Sequence, residues 1–218
     1  MRKVLSTQNG IILVNGKVLI NEDETLPSGY TRVQYISASG SSAFDTNLMI
    51  QDTDVILVDF SLSSLSSDED KYIISCGSGY SGGGLWVETY ASDNKWYVRF
   101  GSLSSVNKAS ESEHLSGKHT FEVRKNYFGI DGSQFLSPSY SSMPSTTLNV
   151  GGRLATSGTT ATGFYGNLYK VIIKDDAGEF KFYGIPAVYN NVAGIYDTVS
   201  NTFFTSDTVT AFTAGPSA

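Results

Sequence analysis

The chain is expected to fold as an all-β protein, an antiparallel β-sandwich or barrel preceded by a short N-terminal β-hairpin. Three observations carry that expectation. Short apolar or alternating stretches recur along the 218 residues, and none keeps the 3.6-residue period of an amphipathic helix. Clusters of Ser, Gly, Asn and Asp separate them, as turn chemistry requires. Hydrophobic residues make up 40% of the chain and aromatic residues 12%, a composition that excludes disorder and fills a sheet-on-sheet core.

Residues 1–25 stand apart from the rest. Ile11-Ile12-Leu13-Val14, Asn15-Gly16 and Lys17-Val18-Leu19-Ile20 predict a hairpin, because Asn-Gly supplies the positive φ angles of a type I′ turn. Both strands are nearly continuous apolar runs, so both faces want cover. Asn21-Glu22-Asp23-Glu24 then separates the ribbon from a domain over 26–218. The ribbon either extends the domain's own sheet or docks on another chain.

Within the domain, strands are predicted at Tyr30–Ile36, Asp54–Leu62, Lys71–Ser75, Leu85–Tyr90, Lys95–Phe100, His119–Arg124, Tyr127–Ile130, Thr147–Val150, Leu168–Lys174 and Glu179–Tyr183. Ser61–Ser67 and Ser102–Ser112 read as long loops. A four-residue loop at Ala91–Asn94 pairs Tyr90 with Lys95, Glu88 with Tyr97 and Trp86 with Arg99. Strand alternation then divides that hairpin into two faces. Leu85, Val87, Trp96, Val98 and Phe100 form a core face. Trp86, Glu88, Tyr90, Lys95, Tyr97 and Arg99 form a mixed aromatic and charged face, expected at the surface.

Composition excludes several function classes. A net charge of −6 with a pI near 4.8 argues against nucleic acid, which needs clustered Lys and Arg. Cys76 is the single cysteine, so no intramolecular disulfide forms. No apolar run approaches the roughly 18 residues of a membrane span. Ser6-Thr7-Gln8-Asn9-Gly10 interrupts the apolar core that a signal peptide would need after Met1-Arg2-Lys3. Synthesis and folding in a cytoplasm are expected.

The chemistry-bearing motifs point away from catalysis. Gly77-Ser78-Gly79-Tyr80-Ser81-Gly82 matches G-x-G-x-x-G, but a strand follows it rather than the helix a dinucleotide site needs. Glycoside hydrolysis needs two suitably spaced carboxyl groups. Glu88 is alone on its strand, and Glu111 and Glu113 lie in a Ser-rich segment. His114 and His119 lack the further nitrogen or sulfur ligands that zinc wants. No cofactor is expected; Asp68-Glu69-Asp70, Asp52 with Asp54, and Asp175-Asp176 offer oxygen to calcium alone. Trp86, Glu88, Tyr90, Tyr97 and Arg99 are the candidate ligand-binding residues. Sugar C–H faces pack on aromatic rings while hydroxyls bond to charged groups; the alternative is an aromatic patch covered by a loop or another subunit.

The two ends of the domain resemble a known family. Leu26-Pro27-Ser28-Gly29-Tyr30 leads into Tyr35-Ile36, a Ser/Gly turn and Asp45-Thr46. At the other end stand Phe182-Tyr183-Gly184-Ile185-Pro186-Ala187, Ala193-Gly194-Ile195-Tyr196-Asp197, Asn201-Thr202-Phe203-Phe204-Thr205 and Phe212-Thr213-Ala214-Gly215-Pro216. Together they resemble the concanavalin A-like, laminin-G-like jelly rolls of gut phage and prophage virion proteins. The hairpin Thr120–Lys125 with Tyr127–Gly132, the strand ending Thr147–Gly152 and the closing strand Phe164–Ile173 are similar to laminin-G-type sandwiches. Ser37-Ala38 stands where the family commonly has Glu-Ser. The resemblance implies a tail or fibre component, not an enzyme, that presents a lectin-like domain to bacterial surface glycan. It equally admits a purely structural decoration or head-fibre subunit. Residues 1–25 would then attach the domain to other virion proteins or to sister subunits, with a trimer preferred.

Overall fold

The computed structural model describes residues 5–6, 11–14, 17–20, 26–63, 70–76, 84–90, 95–101, 107–110, 117–137, 146–154, 161–163 and 165–218. Among these residues every regular element is a strand, and every pairing is antiparallel. Two large sheets make a jelly-roll sandwich. The smaller runs Asn107–Ser110, Lys95–Gly101, Gly84–Tyr90, Asp70–Cys76, Thr147–Val150, Phe44–Met49. The larger runs Ser133–Leu136, Tyr127–Ile130, His119–Arg124, Val55–Leu62, Tyr165–Lys174, Phe180–Tyr189, Val192–Asp197, Thr202–Phe204. Ile36–Ser39 pairs with the first half of Tyr165–Lys174, and Tyr30–Arg32 pairs with the end of Phe180–Tyr189.

Alternation sets the core. On Val55–Leu62, the side chains of Ile56, Val58 and Phe60 are fully buried, while Leu57 and Asp59 on the opposite face are only half-buried. Trp96 reaches across from the smaller sheet. Its indole, 0% exposed, meets Phe60 edge-on at 5.7 Å and Phe128 at 5.8 Å, both from the larger sheet. Each such ring pair adds about 0.5–1.5 kcal/mol beyond area burial. These contacts join the two layers.

The expected pairing of Tyr90 with Lys95, Glu88 with Tyr97 and Trp86 with Arg99 is the observed register. Leu85, Val87, Trp96 and Val98 lie in the core as expected, and the side chain of Phe100 lies outside the described residues. Phe121–Arg124 pairs with Tyr127–Ile130 around Asn126, which takes a φ of 58° in the tight turn. In the N-terminal ribbon Ile11 pairs with Ile20 and Val14 with Lys17, and Leu5–Ser6 adds a third strand. The Asn15-Gly16 turn lies outside the described residues. Among those residues the ribbon pairs with neither sheet of the sandwich.

Several features depart from the sequence reading: Phe44–Met49, Ser133–Leu136, Val192–Asp197 and Thr202–Phe204 are strands where none was predicted. Asn107–Ser110 is an edge strand paired with Lys95–Val98, inside a segment expected as loop. Gly152–Leu154 and Ala161–Gly163 form a two-stranded hairpin. Trp86 and Glu88 depart as well, being 4% and 5% exposed instead of standing at the surface. Ser75 is the cross-strand partner of Trp86, and its hydroxyl donates to the Gly152 carbonyl at 3.2 Å. Tyr72 is the partner of Glu88, and the Arg153 guanidinium lies over its ring at 5.0 Å. The hairpin therefore lies against Asp70–Cys76, the strand next to that of Trp86 and Glu88. Its close approach needs glycine: a Cβ on Gly163 would strike the Gly151 carbonyl oxygen.

Candidate functional site

The face left open to solvent and rich in mixed side chains is the outer face of the larger sheet. Register places Thr120 opposite Asp59, and Asp59 opposite Lys170. The next row holds Glu122, Leu57, Ile172 and Tyr183. A bulge between Leu168 and Lys170 inserts Tyr169 into this surface.

Tyr169 is the centre of a connected cluster. The Lys118 ammonium lies 4.8 Å from its ring centroid, and Tyr35 meets it edge-on at 5.5 Å. Its phenolic oxygen is 3.3 Å from the Ser61 hydroxyl. Lys118 Nζ also pairs with Asp59 Oδ2 at 3.2 Å, and the Thr120 hydroxyl donates to Asp59 Oδ1 at 2.7 Å. The Lys118 side chain is 52% exposed and that of Asp59 19%, so both remain accessible to a ligand. An aromatic ring, a cation, a carboxylate and three hydroxyls thus share one solvent-facing patch. Beyond it, Lys170 lies over Tyr183 at 5.6 Å, Lys174 over Phe180 at 4.8 Å and Arg124 over Tyr127 at 4.1 Å.

Of the residues singled out from sequence, Trp86 and Glu88 are buried and Tyr97 is half-buried on the same face. Tyr90 and Arg99 occupy the expected strand positions, with side chains outside the described residues. His119 Nδ1 is 2.7 Å from Asp131 Oδ2; His114 lies outside the described residues. Asp52 pairs with Lys125 at 3.4 Å and buried Asp54 with Lys181 at 2.6 Å. Asp68, Glu69, Gly77–Gly82, Glu111 and Glu113 lie outside the described residues. Among the described residues no three His, Cys, Asp or Glu side chains converge as metal ligands. Burial pushes the Cys76 thiol well above the usual thiol range, and the nearby Asp45 carboxylate adds to the shift.

The Tyr169 cluster was not picked out from sequence. Its signal was the alternation of Leu57, Asp59 and Ser61 between the apolar residues of a core strand, which marks an outer face without saying what joins it there.

No protein-family model matches the sequence, and comparison with curated proteins returns no match. Solved structures do match. A putative carbohydrate-binding protein from Bacteroides ovatus superposes with a TM-score of 0.56 over 94% of this chain and 67% of that one, at 7% identity. The CBM40 domain of a Ruminococcus gnavus sialidase, solved with α2,3-sialyllactose, gives 0.48 over 63% and 88% at 11% identity. The enzymatically active domain of a bacteriophage CBA120 tailspike protein gives 0.41 over 71% and 30% at 12% identity. At these identities the likeness is one of fold alone, carried by the first of the three. The chain has a lectin-like jelly-roll sandwich fold.

Proposed function

We propose that this chain is a carbohydrate-binding domain, carried on a phage particle as a tail or fibre component, that engages glycan on the bacterial surface through the outer face of its larger sheet. The cluster around Tyr169 carries this reading. A sugar offers apolar C–H groups to an aromatic ring and hydroxyls that both donate and accept. Tyr169 and Tyr35 supply ring surface, Lys118 donates, Asp59 accepts, and Ser61 and Thr120 do either. The cluster is already bonded to itself, so little side-chain freedom is lost on binding. The virion setting rests on the sequence resemblance at the two ends of the domain, and residues 1–25 are its proposed attachment point.

A purely structural role, as a decoration or head-fibre subunit, is the second reading. The N-terminal ribbon favours it, since its apolar strands pair with neither sheet of the sandwich. A screen against purified capsules and other surface polysaccharides separates the two. Binding that Lys118→Ala and Tyr169→Ala weaken supports carbohydrate recognition. Absence of binding to every polysaccharide overturns it and leaves the structural role.

A further inference from the structure

A second cluster of rings lies on the same outer face, at the far end of the sheet. Tyr30 and Tyr189 are directly paired across strands, and their rings stack at 4.5 Å with 21° between planes. Tyr30 also meets Tyr196 at 4.9 Å and Phe203 at 5.3 Å, and Phe203 lies 6.4 Å from Tyr189. Tyr196 and Phe203 are themselves paired across strands. The four rings form one packed aromatic cluster, with Tyr196 buried at 4% exposure and Tyr30 and Phe203 half-buried. Tyr189 is 38% exposed, and its cross-strand neighbour Val192 is 43% exposed.

The chain goes to some length to build this surface. Asn190 and Asn191 take φ angles of 49° and 63°, closing a two-residue turn that sets Tyr189 opposite Val192. Gly194 leaves room for Phe203, whose ring carbons would stand 2.9–3.0 Å from a Cβ there. The Tyr196 hydroxyl donates to Asn201 Oδ1 at 3.2 Å, fixing the innermost ring. Burial pushes that phenol above its usual range, with Tyr30 and Asp197 adding to it. Isolated exposed apolar residues need no explanation, but an exposed tyrosine braced by three further rings does.

The charge pattern distinguishes this end from the Tyr169 end. Cations lie over Tyr169, Tyr183, Phe180 and Tyr127. Among the described residues none lies over Tyr30, Tyr189, Tyr196 or Phe203. Among the described residues the exposed polar groups at the rim are the amides of Asn190, Asn191 and Asn201, while half-buried Arg32 stands opposite Ala187, two residues along from Tyr30. Such a surface suits a neutral ligand with one flat apolar side and hydroxyls at its edge.

Building on the carbohydrate-binding reading above, we infer that Tyr189, backed by Tyr30 and Phe203, is a stacking subsite for a neutral hexopyranose, with the Asn190 and Asn191 amides bonding its hydroxyls. Tyr30 covers one face of the Tyr189 ring and holds it in place. The other face is the platform. Because the rings are packed against one another before binding, the sugar finds a preformed surface.

The test uses the full chain against a β-glucan, a galactan and a mannan as neutral polymers, with alginate as the acidic comparison. The expected result is binding to a neutral polymer that Tyr189→Ala weakens about tenfold, the equivalent of roughly 1.4 kcal/mol. Tyr189→Phe retains it, since stacking needs the ring and not the hydroxyl. Hydroxyl-radical footprinting of the wild-type protein reads the same ring without a substitution: Tyr189 is expected to be reactive when free and protected by the polymer. If a polysaccharide binds but Tyr189 is neither needed nor protected, the subsite is overturned and the carbohydrate-binding reading stands. Binding to alginate alone also overturns the neutral subsite. A Tyr189 already protected in the free chain overturns it as well, because the ring is then covered by protein. Absence of binding to every polymer here and in the wider screen overturns both.

Discussion

Replacing Trp86 by alanine tests how the smaller sheet is covered. A tryptophan buries roughly 150–250 Å². At about 25 cal/mol per Å², removing it forfeits roughly 4–6 kcal/mol of transfer free energy. The ring is 4% exposed and meets Tyr72 edge-on at 6.4 Å, so nearly all of that area is at stake. Two features lower the cost. The neighbours Ser75 and Glu88 are polar, and the Gly152–Leu154 and Ala161–Gly163 hairpin can settle toward the vacated space. A loss of about 3 kcal/mol is therefore expected, the low end for large-to-small aromatic changes. In a domain of this size that lowers Tm by roughly 6–12 °C. Urea unfolding monitored by circular dichroism gives the value, and an unchanged m-value shows that the unfolded state is not the cause. A loss under about 0.5 kcal/mol, typical of surface positions, would refute the burial of this face. Trp96→Ala is the internal standard, with about 3–5 kcal/mol expected for a fully enclosed indole.

Asp197 is 1% exposed and accepts from the amides of Tyr183, Val199 and Ser200 at 2.8, 3.1 and 3.1 Å and from the Ser200 hydroxyl at 2.6 Å. Asp197→Ala is expected to cost about 2–3 kcal/mol in chemical denaturation, since buried donors lose a charged acceptor. Cys76 should react with a thiol reagent only as fast as the protein opens globally, so native labelling and unfolding kinetics should agree. Because its folded pKa is raised, the unfolded chain alone releases the thiol proton above about pH 8.5. Stability contributed by this group is thus full below that pH and falls above it, by up to about 1.4 kcal/mol per pH unit. A chain beginning at Leu26 is expected to keep the sandwich fold while losing self-association or attachment to its particle, read by light scattering and co-sedimentation. Unchanged association, or an unfolded sandwich, would make the N-terminal ribbon an ordinary part of the domain.

Local patterns were legible in the sequence wherever one face of a strand is core. The alternation of Leu85, Val87, Trp96 and Val98 fixes both the pairing and the buried face of its hairpin, because a one-residue slip would turn those side chains to the other side. Asn126 marks its turn for the same local reason. What lies over the opposite face is a tertiary matter. Nothing within Gly84–Tyr90 reports that Trp86 and Glu88 will be buried, or that a hairpin from residues 152–163 will lie against the next strand. The same limit hid the two clusters on the larger sheet. Asp59 and Tyr169 come from separate strands and Lys118 from the residue before a third, and Tyr30 meets Tyr189 across 159 positions of sequence. The mixed aromatic and charged face was expected on the smaller sheet, where Trp86 and Glu88 are buried; the one on the larger sheet was not singled out. Asn107–Ser110 was missed because a short polar edge strand has no core face to read.

The most direct measurement is titration calorimetry of the intact protein against bacterial surface polysaccharides, with Lys118→Ala and Tyr169→Ala titrated alongside. Saturable binding that weakens in both variants while their melting temperatures stay within a few degrees of the parent is the predicted result. Binding that both variants retain in full, or no heat with any polysaccharide, would contradict recognition through the outer face of the larger sheet.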